Sequence, residues 1–133
     1  FTYPNADEGY LDYIKMIESK MNKKNSIIVK NMGIKKYHLM LSNSDLLIGN
    51  SSSGIIESCS FKLPTINLGN RQKKRLSPKN VIHSSFDFSN IMKSYKKAIS
   101  KKFKNSLKKI KNPNEKKDSS TLIFKIIKKN LRV

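Results

Sequence analysis

The strongest constraint on the fold is a short apolar run that leads through a small polar turn into a helical pattern. Residues 46–48 are Leu-Leu-Ile, which suits a buried strand, and residues 49–53 are Gly-Asn-Ser-Ser-Ser. Gly54 then begins a stretch that we predict as a helix over residues 54–61. Consecutive hydroxyls and the unpaired amides of a first helical turn can converge on a phosphate, and glycine lacks the Cβ that would hinder close approach. The segment therefore predicts a strand, an anion-binding turn and a helix.

Other apolar patterns extend this order into an alternation of helices and strands. Asp87 is expected to cap one helix, and Ser119 or Ser120 to begin a last helix through Leu131, after a loop at residues 112–118. Strands separated by helices imply right-handed crossovers, so we expect an α/β, Rossmann-like parallel sheet with helices on both faces. The helix that Asp87 caps covers residues 91–99, and two further helices are predicted at residues 10–21 and 37–43. The predicted strands cover residues 27–29, 46–48, 65–68 and 81–83.

A second strand end in this pattern also carries phosphate-binding chemistry. The predicted strand at residues 65–68 is followed by Gly69 and then by Arg71. In open parallel sheets ligands bind beyond the carboxyl ends of the strands, and both loops lie at such ends. The alternative is purely structural, because serine-rich turns before helices are common and Ser52 or Ser53 could be an ordinary N-cap. The presence of two such loops favours an anion site.

Three segments in this order resemble the carboxy-terminal half of the hydrolysing UDP-N-acetylglucosamine 2-epimerases. They are residues 3–9 (YPNADEG), 49–57 (GNSSSGIIE) and 64–75 (PTINLGNRQKKR). The non-hydrolysing sibling enzymes typically carry an aspartate-serine-glycine-glycine turn followed by paired glutamates, and this sequence has neither. The hydrolysing branch is therefore favoured.

The resemblance also implies a larger architecture. Enzymes of this family have two domains that face each other across a cleft, as in the glycosyltransferase-B fold, and residues 1–133 resemble the second of them. The length suits one such domain. Because the sequence begins at Phe1, inside a motif, we expect a fragment whose amino-terminal domain is missing. The family's catalytic acidic residues lie mostly in that other half, so no catalytic residue is assigned here.

The resemblance further implies a set of UDP-binding residues. In the family the serine turn contacts the diphosphate, and the glutamate after it accepts hydrogen bonds from the ribose hydroxyls. An arginine in the second loop lies near the phosphates, and a loop that matches residues 30–32 lies beside the base. For Asn5 and Asp7 a structural alternative exists, which is to cap the helix that begins at Tyr10. The residues of this chain that match the family's UDP site are Ser51, Ser52, Ser53, Gly54, Glu57, Arg71, Met32 and Asn5.

The reaction implied by the resemblance removes a proton from C2 of the sugar while UDP departs from C1. Water then adds to the unsaturated intermediate and releases N-acetylmannosamine or a related 2-epimerised sugar. We expect a UDP-sugar substrate, no cofactor and no metal. The full-length enzyme is expected to be a cytoplasmic homo-oligomer that serves the synthesis of sialic-acid-like bacterial surface glycans.

Two alternatives of other classes stay open. The formal net charge is +19, and strongly basic chains ordinarily suggest a nucleic-acid partner. The cations are overwhelmingly Lys, whereas base and RNA contacts favour the planar guanidinium of Arg, so we expect a solvated surface and no specific nucleic acid. The second alternative is the donor-binding domain of a glycosyltransferase, which would use a similar phosphate-binding turn.

The remaining chemistry-bearing residues give weak signals. Cys59 is the only cysteine, which excludes an internal disulfide, and we expect it to be a small buried apolar residue on the helix after the serine turn. His38 and His83 have no carboxylate or Cys at a metal-ligand spacing, so a zinc site is not expected. No apolar run approaches the length of about 18 residues that a membrane helix needs.

Overall fold

The computed structural model describes residues 1–4, 8–21 and 24–131. The chain divides into two compact units, Phe1–Met40 and Leu41–Val133. The helices and strands, in chain order, are α1 (Tyr10–Lys20), α2 (Gly33–Asn43), β1 (Leu47–Gly49), α3 (Ser53–Ile56), β2 (Thr65–Leu68), β3 (Val81–Ser84), α4 (Phe88–Ile99), α5 (Lys101–Ser106) and α6 (Ser119–Leu131).

The second unit is built on a three-stranded parallel sheet in the order β1-β2-β3. Ile66 of the central strand pairs with Ile48 on one side and with Ile82 on the other, and its side chain is fully buried. A strand covered in this way is expected to be rich in apolar and β-branched residues, as β2 is. Helices α3 and α4 both contact the sheet. The predicted α/β class with a parallel sheet is confirmed.

The helix after the serines is shorter than predicted. The α-helix covers Ser53–Ile56, and residues 57–62 form successive turns instead of continuing to residue 61. In those turns the amide of Ser60 donates to the carbonyl of Glu57 at 3.0 Å, which is the tighter three-residue spacing. The segment ends at Lys62 in the left-handed region with φ 55°. Pro64 follows two residues later and cannot donate a helical hydrogen bond.

In the first unit, the prediction of a buried strand at residues 27–29 is wrong. The pairing is confined to one parallel bridge between Thr2 and Val29, with the amide of Val29 donating to the carbonyl of Phe1 at 2.9 Å. Ile27 is 74% exposed. A β-branched run favours extended backbone, but its burial depends on what packs over it, and that is a non-local property.

The helices of the first unit begin at local signals. The start of α1 at Tyr10 agrees with the prediction, and its N-cap is Gly9, at φ 77°. Helix α2 begins at Gly33, earlier than the predicted start at residue 37. The side-chain oxygen of Asn31 accepts a hydrogen bond from the amide of Gly33 at 2.8 Å, which stabilises the turn that leads into α2.

Serine and aspartate side chains set the ends of the later helices. Asp87 is confirmed as the N-cap of α4, because its carboxylate accepts from the amide of Asn90 at 3.1 Å. Helix α5 is not in the sequence prediction; Ser100 ends α4 and caps α5 by accepting from the amide of Phe103 at 3.2 Å. Helix α6 begins at Ser119 as predicted, and all of its residues are exposed.

Candidate functional site

Two loops lie side by side at the carboxyl ends of β1 and β2. Gly49, the last residue of β1, pairs with Asn67 near the end of β2. Because the strands are parallel, the chain leaves both of them at the same edge of the sheet. The serine turn (residues 51–53) follows β1, and the arginine loop (residues 69–75) follows β2. The two segments predicted to bind an anion are therefore neighbours.

The hydroxyl of Ser52 is not used to cap the helix that follows it. Ser52 occupies the N-cap position of α3, but its backbone is right-handed (φ −61°, ψ −27°) and its side chain makes no capping hydrogen bond. A capping serine normally has an extended backbone and accepts from an amide of the first turn. The structural alternative is thus right about the position of Ser52 but not about a capping bond from its side chain. Ser53 is the first residue of α3 and not its cap.

The serine turn closes partly on itself. The amide of Ser53 donates to the hydroxyl of Ser51 at 3.4 Å, and the amide of Gly54 donates to the carbonyl of Ser51 at 3.2 Å. Ser51 is exposed, whereas Ser52 and Ser53 are half-buried. Since α3 has only 4 residues, its dipole contributes little, and the polarity of the turn comes mainly from hydroxyls and local amides.

Gly54 is buried, and packing against the sheet explains why it is a glycine. A Cβ added there would lie 3.1 Å from Cγ2 of Thr65 and 3.7 Å from Cδ2 of Leu47. Those two residues belong to β2 and β1, so the missing side chain lets α3 approach the strands closely. The sequence pattern indicated a glycine that admits a ligand; the structure adds the contact with the sheet.

Glu57 and Arg71 approach the site from different elements. Glu57 is half-buried at the C-cap of α3, where its amide donates to the carbonyl of Ser53 at 2.9 Å. Arg71 is exposed in the arginine loop, which also carries Lys73, Lys74 and Arg75, all exposed. The loop beside the serine turn is therefore positively charged, whereas Glu57 places a carboxylate at the end of α3.

Gln72 joins the two loops, and sequence reasoning missed it. Its side-chain amide nitrogen donates to the carbonyl of Asn50 at 2.9 Å, and Asn50 directly precedes the serine turn. Gln72 is only 4% exposed although it lies between exposed cations. An uncharged amide inside a Lys- and Arg-rich loop was the available signal, but the partner lies 22 residues away in sequence.

A buried polar cluster supports the serine turn from behind. The side-chain nitrogen of Asn80 donates to the hydroxyl of Ser58 at 2.8 Å and to the carbonyl of Leu63 at 2.7 Å. The hydroxyl of Ser58 donates in turn to the carbonyl of Gly54 at 2.8 Å. Asn80 and Ser58 are fully buried. These bonds hold α3 and the turns after it against the segment that enters β3.

Asn67 anchors the start of the arginine loop. Its side-chain nitrogen donates to the carbonyl of Gly69 at 3.3 Å and lies 3.2 Å from Nδ1 of His83. The other ring nitrogen of His83, Nε2, lies 3.0 Å from the hydroxyl of Ser77. His83 is thus a strand residue near the carboxyl edge of the sheet, in agreement with the sequence prediction.

The other predicted contacts belong to the first unit. Met32 is half-buried immediately before α2. Asn5 and Asp7 lie outside the described residues. The N-cap of α1 is Gly9, which has no side chain.

Outside the two loops, the described part of the chain contains one buried thiol. Among the described residues, no group of three or more His, Cys, Asp or Glu side chains could hold a metal ion. No described helix is long and apolar enough to cross a membrane. Cys59 is buried as predicted, although in the turns after α3 and not on the helix, and burial raises the pKa of its thiol.

Several characterised proteins are similar in sequence to this chain. The chain is 39% identical over 106 residues to the GDP/UDP-N,N'-diacetylbacillosamine 2-epimerase (hydrolyzing) of Campylobacter jejuni, an alignment that covers 78% of this chain and 27% of that protein. It is 35% identical over 98 residues to the UDP-N,N'-diacetylbacillosamine 2-epimerase (hydrolyzing) of Legionella pneumophila, covering 74% and 26%. It is 37% identical over 92 residues to the polysialic acid biosynthesis protein P7 of Escherichia coli, covering 69% and 24%.

These relatives are much longer than the chain, which spans about a quarter of their length. The family model described as UDP-N-acetylglucosamine 2-epimerase matches residues 1–128, which is nearly the whole chain. The family has the glycosyltransferase-B-like fold, consistent with the parallel sheet of the second unit. The resemblance inferred from the serine turn and the arginine loop is confirmed, and the chain belongs to the UDP-N-acetylglucosamine 2-epimerase family.

Proposed function

We propose that the chain is the UDP-binding, carboxy-terminal half of a hydrolysing UDP-sugar 2-epimerase. The observation that carries this proposal is the junction of the serine turn and the arginine loop at adjoining ends of parallel strands, in a chain of this family. Nucleotides bind at such strand ends in open α/β sheets. The hydroxyl of Ser52 supports the proposal. Ser52 is half-buried, and its hydroxyl does not cap α3, so it is available to a phosphate oxygen.

Each proposed ligand group has a distinct task. The hydroxyls of the serine turn donate hydrogen bonds to the diphosphate, Gly54 leaves room beside them because it has no side chain, and Arg71 adds a full positive charge on the neighbouring loop. The carboxylate of Glu57 accepts from the two vicinal ribose hydroxyls; it would repel phosphate, so its position one turn after Ser53 separates ribose from diphosphate.

In this proposal the chain holds the leaving group. UDP departs from C1 of the sugar as an anion while a proton leaves C2, and water then adds to the unsaturated intermediate. A site that binds the diphosphate more tightly as its charge grows lowers the barrier, by a factor of about ten in rate for each 1.4 kcal/mol. The groups that move protons at C2 belong to the amino-terminal domain, which we propose as the partner of this chain in a cytoplasmic, homo-oligomeric enzyme.

The substrate class follows from the relatives and the nucleotide site. We infer UDP-N-acetylglucosamine or a diacetamido relative such as UDP-N,N'-diacetylbacillosamine, because two of the relatives are named for the latter sugar. The product is the free 2-epimerised sugar, for glycans of the sialic acid type. A glycosyltransferase would need an acceptor, so release of UDP and free sugar by the full-length protein without an acceptor separates the two reactions.

Titration of the 133-residue chain with UDP tests the site directly. We expect saturable binding, with Ser52→Ala about three- to tenfold weaker and Glu57→Gln about tenfold weaker, because each loses one or two hydrogen bonds to the ligand. Isothermal titration calorimetry measures both. Ser106→Ala and Glu115→Gln are matched controls on α5 and in the loop before α6, and should bind like the wild type. Equal affinity of all four variants would contradict the assignment.

A further inference from the structure

Gln72 is not one of the proposed ligand groups, yet its side chain is buried and makes a hydrogen bond between the two loops. Its side chain is 4% exposed, and its Nε2 atom donates to the carbonyl oxygen of Asn50 at 2.9 Å. The acceptor is the last carbonyl before the serine turn, and the donor directly follows Arg71. This single hydrogen bond therefore connects the backbone that presents the serines to the loop that presents the guanidinium.

The bond lies where the sheet no longer holds the two loops together. The register of β1 with β2 ends at the pair Gly49 and Asn67, before either loop begins. Inside the serine turn the bonds to Ser51 are long, at 3.2 and 3.4 Å, and the Ser52 side chain does not cap α3. Beyond that pair, the side chain of Gln72 spans the serine turn and the arginine loop and ties one to the other.

The oxygen atom of the same side-chain amide indicates which atom of Gln72 matters. The Oε1 atom of Gln72 is buried and has no hydrogen-bond partner among the described residues. Buried polar atoms are normally paired, so an apolar side chain of equal length would fill this space without leaving an acceptor unsatisfied. The donor at Nε2 is the feature that an apolar side chain would lack.

We propose that Gln72 is a positioning residue: it holds the serine turn and Arg71 at the separation at which both of them contact the diphosphate. This inference rests on the proposed function, because it assumes that UDP occupies the serine turn. Gln72 itself touches no ligand atom in this proposal. Its loss should affect the part of the affinity that depends on the second phosphate and leave the nucleoside part unchanged.

A comparison of UDP with UMP isolates that part of the affinity. The two ligands share the uridine and differ by one phosphate, so the ratio of the Kd for UMP to the Kd for UDP measures the contribution of the second phosphate.

Two variants of Gln72 test this ratio. Gln72→Met keeps the length of the side chain and removes the donor. Gln72→Glu removes the donor and also places a carboxylate opposite a carbonyl and near phosphate. Calorimetry should show the ratio falling about fivefold in the first variant and more than tenfold in the second. General damage to the fold would weaken both ligands by the same factor and leave the ratio unchanged.

Asn105→Asp is the matched control, since it adds the same negative charge on an exposed position of α5. It should keep the wild-type ratio. A wild-type chain that binds UDP, combined with unchanged ratios in both Gln72 variants, overturns the positioning role and leaves the proposed function standing. A wild-type chain that does not bind UDP removes both.

A measurement on the wild type covers the case in which the variants fail to fold. Gln72 is the only glutamine in the sequence, so selective ¹⁵N labelling of glutamine gives a single side-chain NH2 signal. We expect slow hydrogen exchange at one of its protons, and a larger chemical-shift change with saturating UDP than with saturating UMP. A signal that exchanges as fast as a free amide, or that shifts equally with both ligands, contradicts the proposal.

Discussion

The glycine residues at 49, 54 and 69 differ in what prevents a larger residue from replacing them. Gly69 begins the arginine loop at φ 71°, a left-handed conformation that side chains rarely adopt, and a Cβ there would lie 2.5 Å from the ring of Phe86. Gly54 has no such backbone requirement and is limited by contact with Thr65 of β2. Gly49 has neither limitation, because nothing lies within 4 Å of its would-be Cβ.

We predict that Gly54→Ala destabilises the chain by about 1 to 2 kcal/mol, the cost of overpacking offset partly by the better helix propensity of alanine. Thr65 cannot turn its methyl group away freely, because it is 1% exposed and its hydroxyl donates to the carbonyl of Leu63 at 3.1 Å. Urea unfolding followed by circular dichroism measures the change. Gly49→Ala is the control, and a Gly54→Ala chain as stable as that control would show that α3 shifts without cost.

At the scale of the element, short side-chain caps decide where the helices begin. Asp87 and Ser100 cap α4 and α5 in succession, each accepting from an amide three residues later. The hydroxyl of Ser89 and the amide of Asn90 both donate to the Asp87 carboxylate, and these bonds hold its pKa below the ordinary value of 3.8. Helix α3 has no comparable cap, and it is the shortest of the described helices.

The cap of α4 predicts a dependence of stability on pH. Because the folded-state pKa of Asp87 is lowered, its stabilising contribution is present above about pH 4 and is lost as the pH falls through the folded-state value. Asp87→Ser keeps a capping oxygen that does not titrate. We expect this variant to lose less thermal stability than the wild type between pH 5 and about pH 2.5. Melting curves at both pH values measure this; an equal loss in the two proteins would argue against the cap as the source.

At the scale of the whole molecule, the net charge of +19 is spread mainly over lysines. In the proposed function the serine turn and the arginine loop bind one small anion, whereas lysines on solvent-facing helices attract any polyanion weakly. A positive charge of this size raises the association rate of small anions by long-range attraction. It does not by itself specify nucleic acid, for which planar Arg contacts would be expected.

Salt separates these two kinds of binding. Duplex binding through dispersed lysines should weaken by at least about tenfold between 50 and 200 mM NaCl, because counterions are released from the phosphates. We expect UDP affinity to fall by less than about threefold over the same range, since few charges are paired and directional hydrogen bonds contribute. Fluorescence anisotropy with a labelled duplex and calorimetry with UDP measure the two slopes. Tight duplex binding at 200 mM without UDP binding would favour the nucleic-acid alternative.

Features that depend on neighbours along the chain can be read from the amino-acid sequence. The apolar runs of β1, β2 and β3 place the strands, the Asp87 cap begins α4, and the serine turn with the arginine loop identifies the family. These are local patterns, and their physical causes act over a few residues. The alternation of strands and helices then leaves a parallel sheet as the natural arrangement.

How far each element extends and which distant groups meet depend instead on long-range packing. The exposure of Ile27 and the shortening of α3 depend on what packs above them. The bond from Gln72 to Asn50 and the bond from Asn80 to Ser58 each join residues 22 apart in sequence, and no local pattern reports such a pair. Side-chain hydrogen bonds across loops form only after the sheet has brought the strand ends together.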